Sequence, residues 1–151
     1  MMGNRPVDIA RSWIGTPYVH QGAAKHVGTD CLGLIRGIWR ELAGDEPAPV
    51  PAYSATWGPE DQTDALYHAA MQHLVAQPAS APPAVGDVLL FRMRAGAAAK
   101  HLGVQSQIGA TPYFIHAYSG HAVTESPLSA PWARKIVARF RFPDALLNTK
   151  E

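Results

Sequence analysis

Of the 151 residues only one is a cysteine, Cys31, so no disulfide can form within the chain and the fold does not require an oxidising compartment. Charge of one sign is missing too. Thirteen Lys and Arg against twelve Asp and Glu leave a net charge of +1, and the basic residues are scattered, which gives no footprint for nucleic acid. No apolar run is long enough to span a bilayer, and the opening Met1-Met2-Gly3-Asn4-Arg5-Pro6-Val7-Asp8 lacks the apolar stretch of a secretory signal. The expectation is a product made in the cytoplasm, without membrane insertion, that needs a vehicle if it acts elsewhere. Internal repeats are also lacking. The length fits one domain, residues 1–151, with a core large enough to need no staples.

What is present gathers around Cys31. Gly28 and Thr29 read as a turn, Asp30 as a helix N-cap and Cys31 as the first helical residue. Leu34, Ile35, Ile38, Trp39 and Leu42 then recur at helical spacing, Arg36, Arg40 and Glu41 fall on the other face, and Gly44 ends the helix. Gly33 and Gly37 lie one turn apart on the outer face, each costing roughly 1 kcal/mol against alanine, and predict close approach by a neighbouring segment. At a helix N-terminus the unpaired N–H groups and the dipole favour a thiolate. A lone cysteine is also commonly a small buried hydrophobe, so a base elsewhere in the chain has to decide.

Before this helix the pattern predicts a shorter one over residues 6–14, with Ile9, Ala10, Trp13 and Ile14 on its apolar face, then a loop turning at Gly15 and Gly22. After it, residues 45–58 form a proline-rich loop. A third helix opens at Pro59-Glu60-Asp61 and buries Leu66, Tyr67, Ala70, Met71 and Leu74, and a second proline-rich stretch covers 77–85. Strands follow at 88–91, 101–106, 113–118, 122–125 and 135–142. Helices first and hairpin-connected strands after them predict an α+β fold, with the helices packed on an antiparallel sheet.

A thiolate nucleophile needs a base, and the base needs an orienting group. Of seven histidines, His101 and His116 are the two inside strands, and neighbouring strands would point both imidazoles to one side of the sheet. Gly103, on the face of His101, leaves room beside the ring. A single histidine inside a sheet is more often a core residue than a catalyst. Two of them with a cysteine at a helix tip favour catalysis.

Pro17-Tyr18, Asp30-Cys31-Leu32-Gly33-Leu34-Ile35, Gly86-Asp87-Val88-Leu89, His101-Leu102-Gly103-Val104 and Phe114-Ile115-His116-Ala117 resemble, in order and separation, the NlpC family of bacterial cell-wall cysteine peptidases. Tyr18-Val19-His20-Gln21-Gly22-Ala23 and Cys31-Leu32-Gly33-Leu34-Ile35-Arg36-Gly37 look closest to small members encoded in phage and gene-transfer-agent tail clusters. The resemblance implies a papain-like core. Cys31 is then the nucleophile, His101 the base and His116 its orienter, with the Cys31 N–H at the oxyanion and Tyr18, Asp30 and Leu32 lining the substrate site. It implies no metal and no cofactor. The substrate it implies is the peptidoglycan stem peptide, commonly cut between D-glutamate and a diamino acid, and the partners are tail-tip, baseplate or hub proteins of a phage-like particle acting at the cell wall. Two positions depart from the family pattern: Leu32 stands where serine is usual, and the stretch from His101 to His116 is slightly long.

Three other readings remain. Seven histidines invite a metal site, but no His-x-x-x-His pair and no second cysteine supports one. A lipid-acting thiol acyltransferase shares the Cys–His core but typically places histidine first. A catalytically silent plug or scaffold of a tail tip would keep the same fold. His20 and His26 flank the predicted site loop, and His121 is the fallback orienter if His116 points into the core.

Overall fold

Asn4 starts the first helix, its side chain accepting from the Val7 N–H at 3.2 Å and donating to the Val85 carbonyl at 3.0 Å. That helix, α1 (Arg5–Ser12), carries Pro6 in its first turn, where no N–H is needed. The computed structural model describes residues 4–46, 65–94 and 99–147. Among these, the remaining elements in chain order are β1 (Ala23–Ala24), β2 (Gly28–Thr29), α2 (Cys31–Ala43), α3 (Ala65–His73), β3 (Val75–Ala76), β4 (Val88–Phe91), β5 (His101–Gln107), β6 (Tyr113–His116), β7 (Thr124–Pro127), α4 (Ala130–Ala133), β8 (Ile136–Arg141) and α5 (Asp144–Leu147). The expected start of α3 at residues 59–61, and most of the expected 45–58 loop, lie outside the described residues.

Six strands form one antiparallel sheet in the order β3-β8-β4-β5-β6-β7. Helices pack on it, as the strand-after-helix order predicts. Alternation divides the buried strands between two clusters. Val88, Leu90, Leu102, Val104, Ile115 and Phe140 join Leu34, Ile38 and Leu42 of α2 and Val7, Ala10 and Trp13 of α1 in the main core. Leu89, Phe91, Phe114 and Leu128 form the second cluster, with Met93, Trp132 and Ile136 packed on it. His101 lies opposite Phe91 in the ladder and so shares the face of the second cluster.

Several local expectations change. Gly28 and Thr29 are not a turn but the second strand of a small hairpin with Ala23 and Ala24, and the reversal falls at His26, which has φ +67°. The turn expected at Gly22 is made by Gln21, with φ +64°. In α1 the buried face holds Val7 rather than Ile14, which is exposed, and in α3 Met71 is exposed. Gly33 and Gly37 are buried, not on an outer face. A Cβ on Gly33 would meet the Gly22 carbonyl, and one on Gly37 would meet the Trp13 ring, so close approach itself is correct. Between His101 and His116, β5 runs as far as Gln107 and the ladder with β6 carries a bulge between Gln105 and Gln107.

Candidate active site

Asp30 builds the corner from which the site grows. It is 2 % exposed, and its Oδ1 accepts from the Gly33 N–H at 2.7 Å, the N-cap bond that fixes where α2 begins. Its Oδ2 accepts from the Gln21 N–H at 2.8 Å and lies 3.9 Å from His20 Nδ1, so the same carboxylate ties the loop to the helix. Backbone bonds from Val19 N to Thr29 O and from Thr29 N to Pro17 O complete the zipper and hold Tyr18 beside Cys31.

Cys31 is therefore the first residue of α2, as its sequence context predicts. Its thiol donates to the Lys100 carbonyl at 3.8 Å, which puts the sulfur at the leading end of β5, next to His101 in sequence. Burial pushes the thiol up to about 12, with the Asp30 charge adding to it. The backbone N–H groups of Leu102, Leu32 and Cys31 pull the other way and do not prevail. The thiolate expected from the helix terminus is therefore not the resting state; desolvation outweighs the dipole.

His101 and His116 come from adjacent strands, and both are buried, at 5 % and 3 % exposure. His101 Nε2 and His116 Nδ1 lie 2.8 Å apart, and His116 Nε2 is 3.3 Å from Ser126 Oγ on β7. Burial lowers His101 to about 3, with the His116 charge second. It lowers His116 to about 4, with His121 second. Both rings therefore stand neutral at physiological pH. Gly103 makes room for the neighbouring strand rather than beside the His101 ring as expected: a Cβ there would meet Phe114 and the Cβ of His116.

A cleft of about 140 Å³ opens over this corner, lined among others by Tyr18, His20, Cys31, Leu32, His101 and Tyr118. Asp30 also reaches it. Burial raises the Tyr18 hydroxyl to about 12, with the charges of Cys31 and Asp30 adding to it, so it remains a hydrogen-bond donor. The six residues singled out in the sequence (Cys31, His101, His116, Tyr18, Asp30, Leu32) thus converge, although His116 lies behind His101 rather than at the cleft wall. His26 is exposed and its backbone, not its ring, bonds Thr16. His121 stacks on Tyr118, 5.7 Å between ring centroids at 12°. Among the described residues no group of three His, Cys, Asp or Glu side chains is placed to hold a metal ion.

The sequence reading missed two residues at this site. Trp132, on α4, has its ring 5.5 Å from that of His101 and 5.2 Å from that of His116. The signal for α4 was present in Ser129 followed by Pro131, an N-cap residue with proline in the first turn. Ser126 could have been found only from the β6–β7 register, which places it opposite Phe114, beside His116.

The NlpC/P60 family matches residues 15–141 of the chain. Among solved structures, the NlpC/p60 domain of the peptidoglycan hydrolase SagA superposes with a TM-score of 0.59 at 19 % identity, covering 91 % of this chain and 97 % of that one. An NlpC/P60 family protein from Bacillus cereus gives 0.60 at 18 %, covering 91 % of this chain and 39 % of that one. A lipoprotein-like member of the NLP/P60 family from Staphylococcus aureus gives 0.57 at 21 %, covering 91 % and 40 %. This chain thus spans about two fifths of the length of the last two. Among curated proteins none matches. The likeness is one of fold, the papain-like α+β arrangement that the sequence predicts.

Proposed function

The chain belongs to the NlpC/P60 family, and from that premise we propose that it is a cysteine peptidase of bacterial cell-wall peptides, with Cys31 as nucleophile, His101 as base and His116 as orienter. The observation that carries the reading is the shared cleft of Cys31 and His101, with His101 Nε2 already engaged by His116 at 2.8 Å. That bond leaves His101 Nδ1 as the ring nitrogen able to take the thiol proton. Both partners are neutral at rest, so the proton moves as the sulfur attacks the scissile carbonyl. The thiolate then never has to be sustained in the buried site. The oxyanion is met by the Cys31 N–H at the tip of α2 and by the Tyr18 hydroxyl. His101 returns the proton to the leaving amine, and water attacking the thioester regenerates the thiol.

The substrate in this reading is the peptidoglycan stem peptide, cut between D-glutamate and the diamino acid. The tail-like pattern of residues 18–23 and 31–37 supports a place in the tip of a phage-like or gene-transfer-agent tail, where the enzyme would open the wall locally. Digesting purified sacculi and weighing the fragments by mass spectrometry tests the chemistry: a new amine terminus on the diamino acid is expected from the wild type and not from Cys31→Ala. Mass spectrometry of purified particles tests the location, and absence of the chain from mature tails refutes it.

A further inference from the structure

We propose that Ser126 is a positioning residue of the site: its hydroxyl accepts the Nε2–H of His116 and thereby holds both histidines in the tautomers that make His101 a base. His101 Nε2 lies 2.8 Å from His116 Nδ1, and His116 Nε2 lies 3.3 Å from Ser126 Oγ, which makes one continuous chain of contacts. A neutral imidazole has one donor nitrogen and one acceptor nitrogen, so the proton positions along such a chain are coupled.

Only two polarities are possible. In one, His116 carries its proton on Nε2 and gives it to Ser126. Its Nδ1 is then an acceptor, His101 donates from Nε2, and His101 Nδ1 is left bare toward the cleft. In the other, Ser126 donates to His116, His116 donates to His101, and His101 presents an N–H where a base is needed. A hydroxyl can serve either direction because its hydrogen rotates. The chemistry asked of His101 makes the choice. A base beside Cys31 in the shared cleft needs a bare nitrogen, and only the first polarity leaves His101 Nδ1 without a proton.

Water is a poor substitute for Ser126. His116 is 3 % exposed, and its ring is closed in by Phe114, 4.0 Å between centroids, and Trp132, 5.2 Å. Without an acceptor at residue 126, the Nε2–H form leaves a buried donor unpaired, and the chain shifts toward the reversed polarity.

The choice of polarity and its kinetic consequence rest on the peptidase reading; the measurement of the tautomers does not. Long-range proton–nitrogen correlation spectra of the ¹⁵N-labelled full chain at neutral pH read the tautomers without substrate. The wild type and Ser126→Thr are expected to show His101 and His116 protonated on Nε2, and Ser126→Ala to show His116 as a mixture. On a stem tripeptide, Ser126→Ala should lose about five- to tenfold in kcat, with KM within about twofold. Ser126→Thr should recover most of that loss and Ser126→Val none. This last pair differs only in the hydroxyl and decides the matter if the alanine variant fails to fold. His116 protonated on Nδ1 in the wild type overturns the proposal, and so do unchanged tautomers in Ser126→Ala and Ser126→Val. A wild type that cleaves nothing overturns the peptidase reading instead, and the spectra still decide the role of Ser126.

Discussion

Gly33 packs its bare Cα against the backbone carbonyl of Gly22, a contact that leaves no room for a side chain. The nearest opposing atoms are the Gly22 backbone, with the buried Thr29 hydroxyl beside them, so they yield chiefly by moving the loop that holds Tyr18 beside Cys31. Gly37, one turn on, packs instead against the Trp13 ring, whose Nε1 donates to Glu41 at 2.9 Å. Gly33→Ala and Gly37→Ala should each cost about 1–3 kcal/mol by overpacking. Only the first should also slow alkylation of Cys31, by distorting the loop. Denaturation midpoints and iodoacetamide rates on the two variants separate the effects; equal alkylation rates would show that the loop absorbs the alanine.

Cys31 should be the sole reactive thiol, and iodoacetamide should inactivate the protein in step with its modification. Burial raises this thiol toward 12 and lowers His101 toward 3, and both shifts oppose a resting ion pair. The alkylation rate should therefore keep climbing above pH 9. A plateau reached between pH 5 and 8 would establish a thiolate–imidazolium pair instead.

The buried histidines also make stability sensitive to acid. Unfolded, both titrate near 6.5. Folded, they bind protons only near 3 and 4, so between those limits the unfolded state carries more protons. Stability is then complete above pH 6.5 and falls as the pH drops, by up to about 1.4 kcal/mol per pH unit for each histidine. From 6.5 to 5 few carboxylates contribute, since their ordinary range lies lower. Urea midpoints across that window should fall more steeply for the wild type than for His101→Gln. Parallel curves would mean that His101 is already solvated in the native state.

Much of this was legible because it is local. Asp30, the 3.6-residue spacing from Leu34 to Leu42 and Gly44 mark α2 to the residue, and β4 reads directly as the apolar run Val88–Phe91. The two-residue strands β1, β2 and β3 have no period to read; they exist because a partner strand pairs with them. The face of Gly33 and Gly37 was misread for a related reason: absence of a side chain looks polar in a pattern, yet it permits the tightest burial. The thiol's raised pKa was equally hidden, since the dipole is a property of the helix and desolvation a property of everything packed around it.

His101 and His116 should respond differently to substitution. In the proposed mechanism His101 moves the proton, so His101→Ala should lower the rate on the order of 100- to 10,000-fold. The proposed part of His116 is to accept from His101 Nε2, 2.8 Å away, through the nitrogen nearer its backbone. The amide oxygen of asparagine sits close to that nitrogen's position, so His116→Asn should keep more activity than His116→Gln, and both more than His116→Ala. Steady-state rates on one stem peptide check the order. A mild effect at His101, or equal loss from all three changes at His116, would reverse the roles.

Leu32 sets the last expectation, which concerns the substrate's amine. A free L-alanine terminus in the cleft would bring an ammonium that needs acceptors, and Leu32 offers none. Asp30 is the nearby carboxylate, but its Oδ1 is held by the Gly33 N–H and its Oδ2 by the Gln21 N–H. Drawing either oxygen toward a ligand would weaken the N-cap of α2 and the loop beside it, at a cost of about 0.5–2 kcal/mol. The site should therefore not demand a free amine, and should accept stem peptides still joined to glycan. The comparison is between L-alanyl-γ-D-glutamyl-diaminopimelate and its N-acylated form. Values of kcat/KM within about tenfold of each other, roughly 1.4 kcal/mol in the transition state, are expected. A larger preference for the free amine would mean that Asp30 gives up one of its backbone bonds to bind substrate.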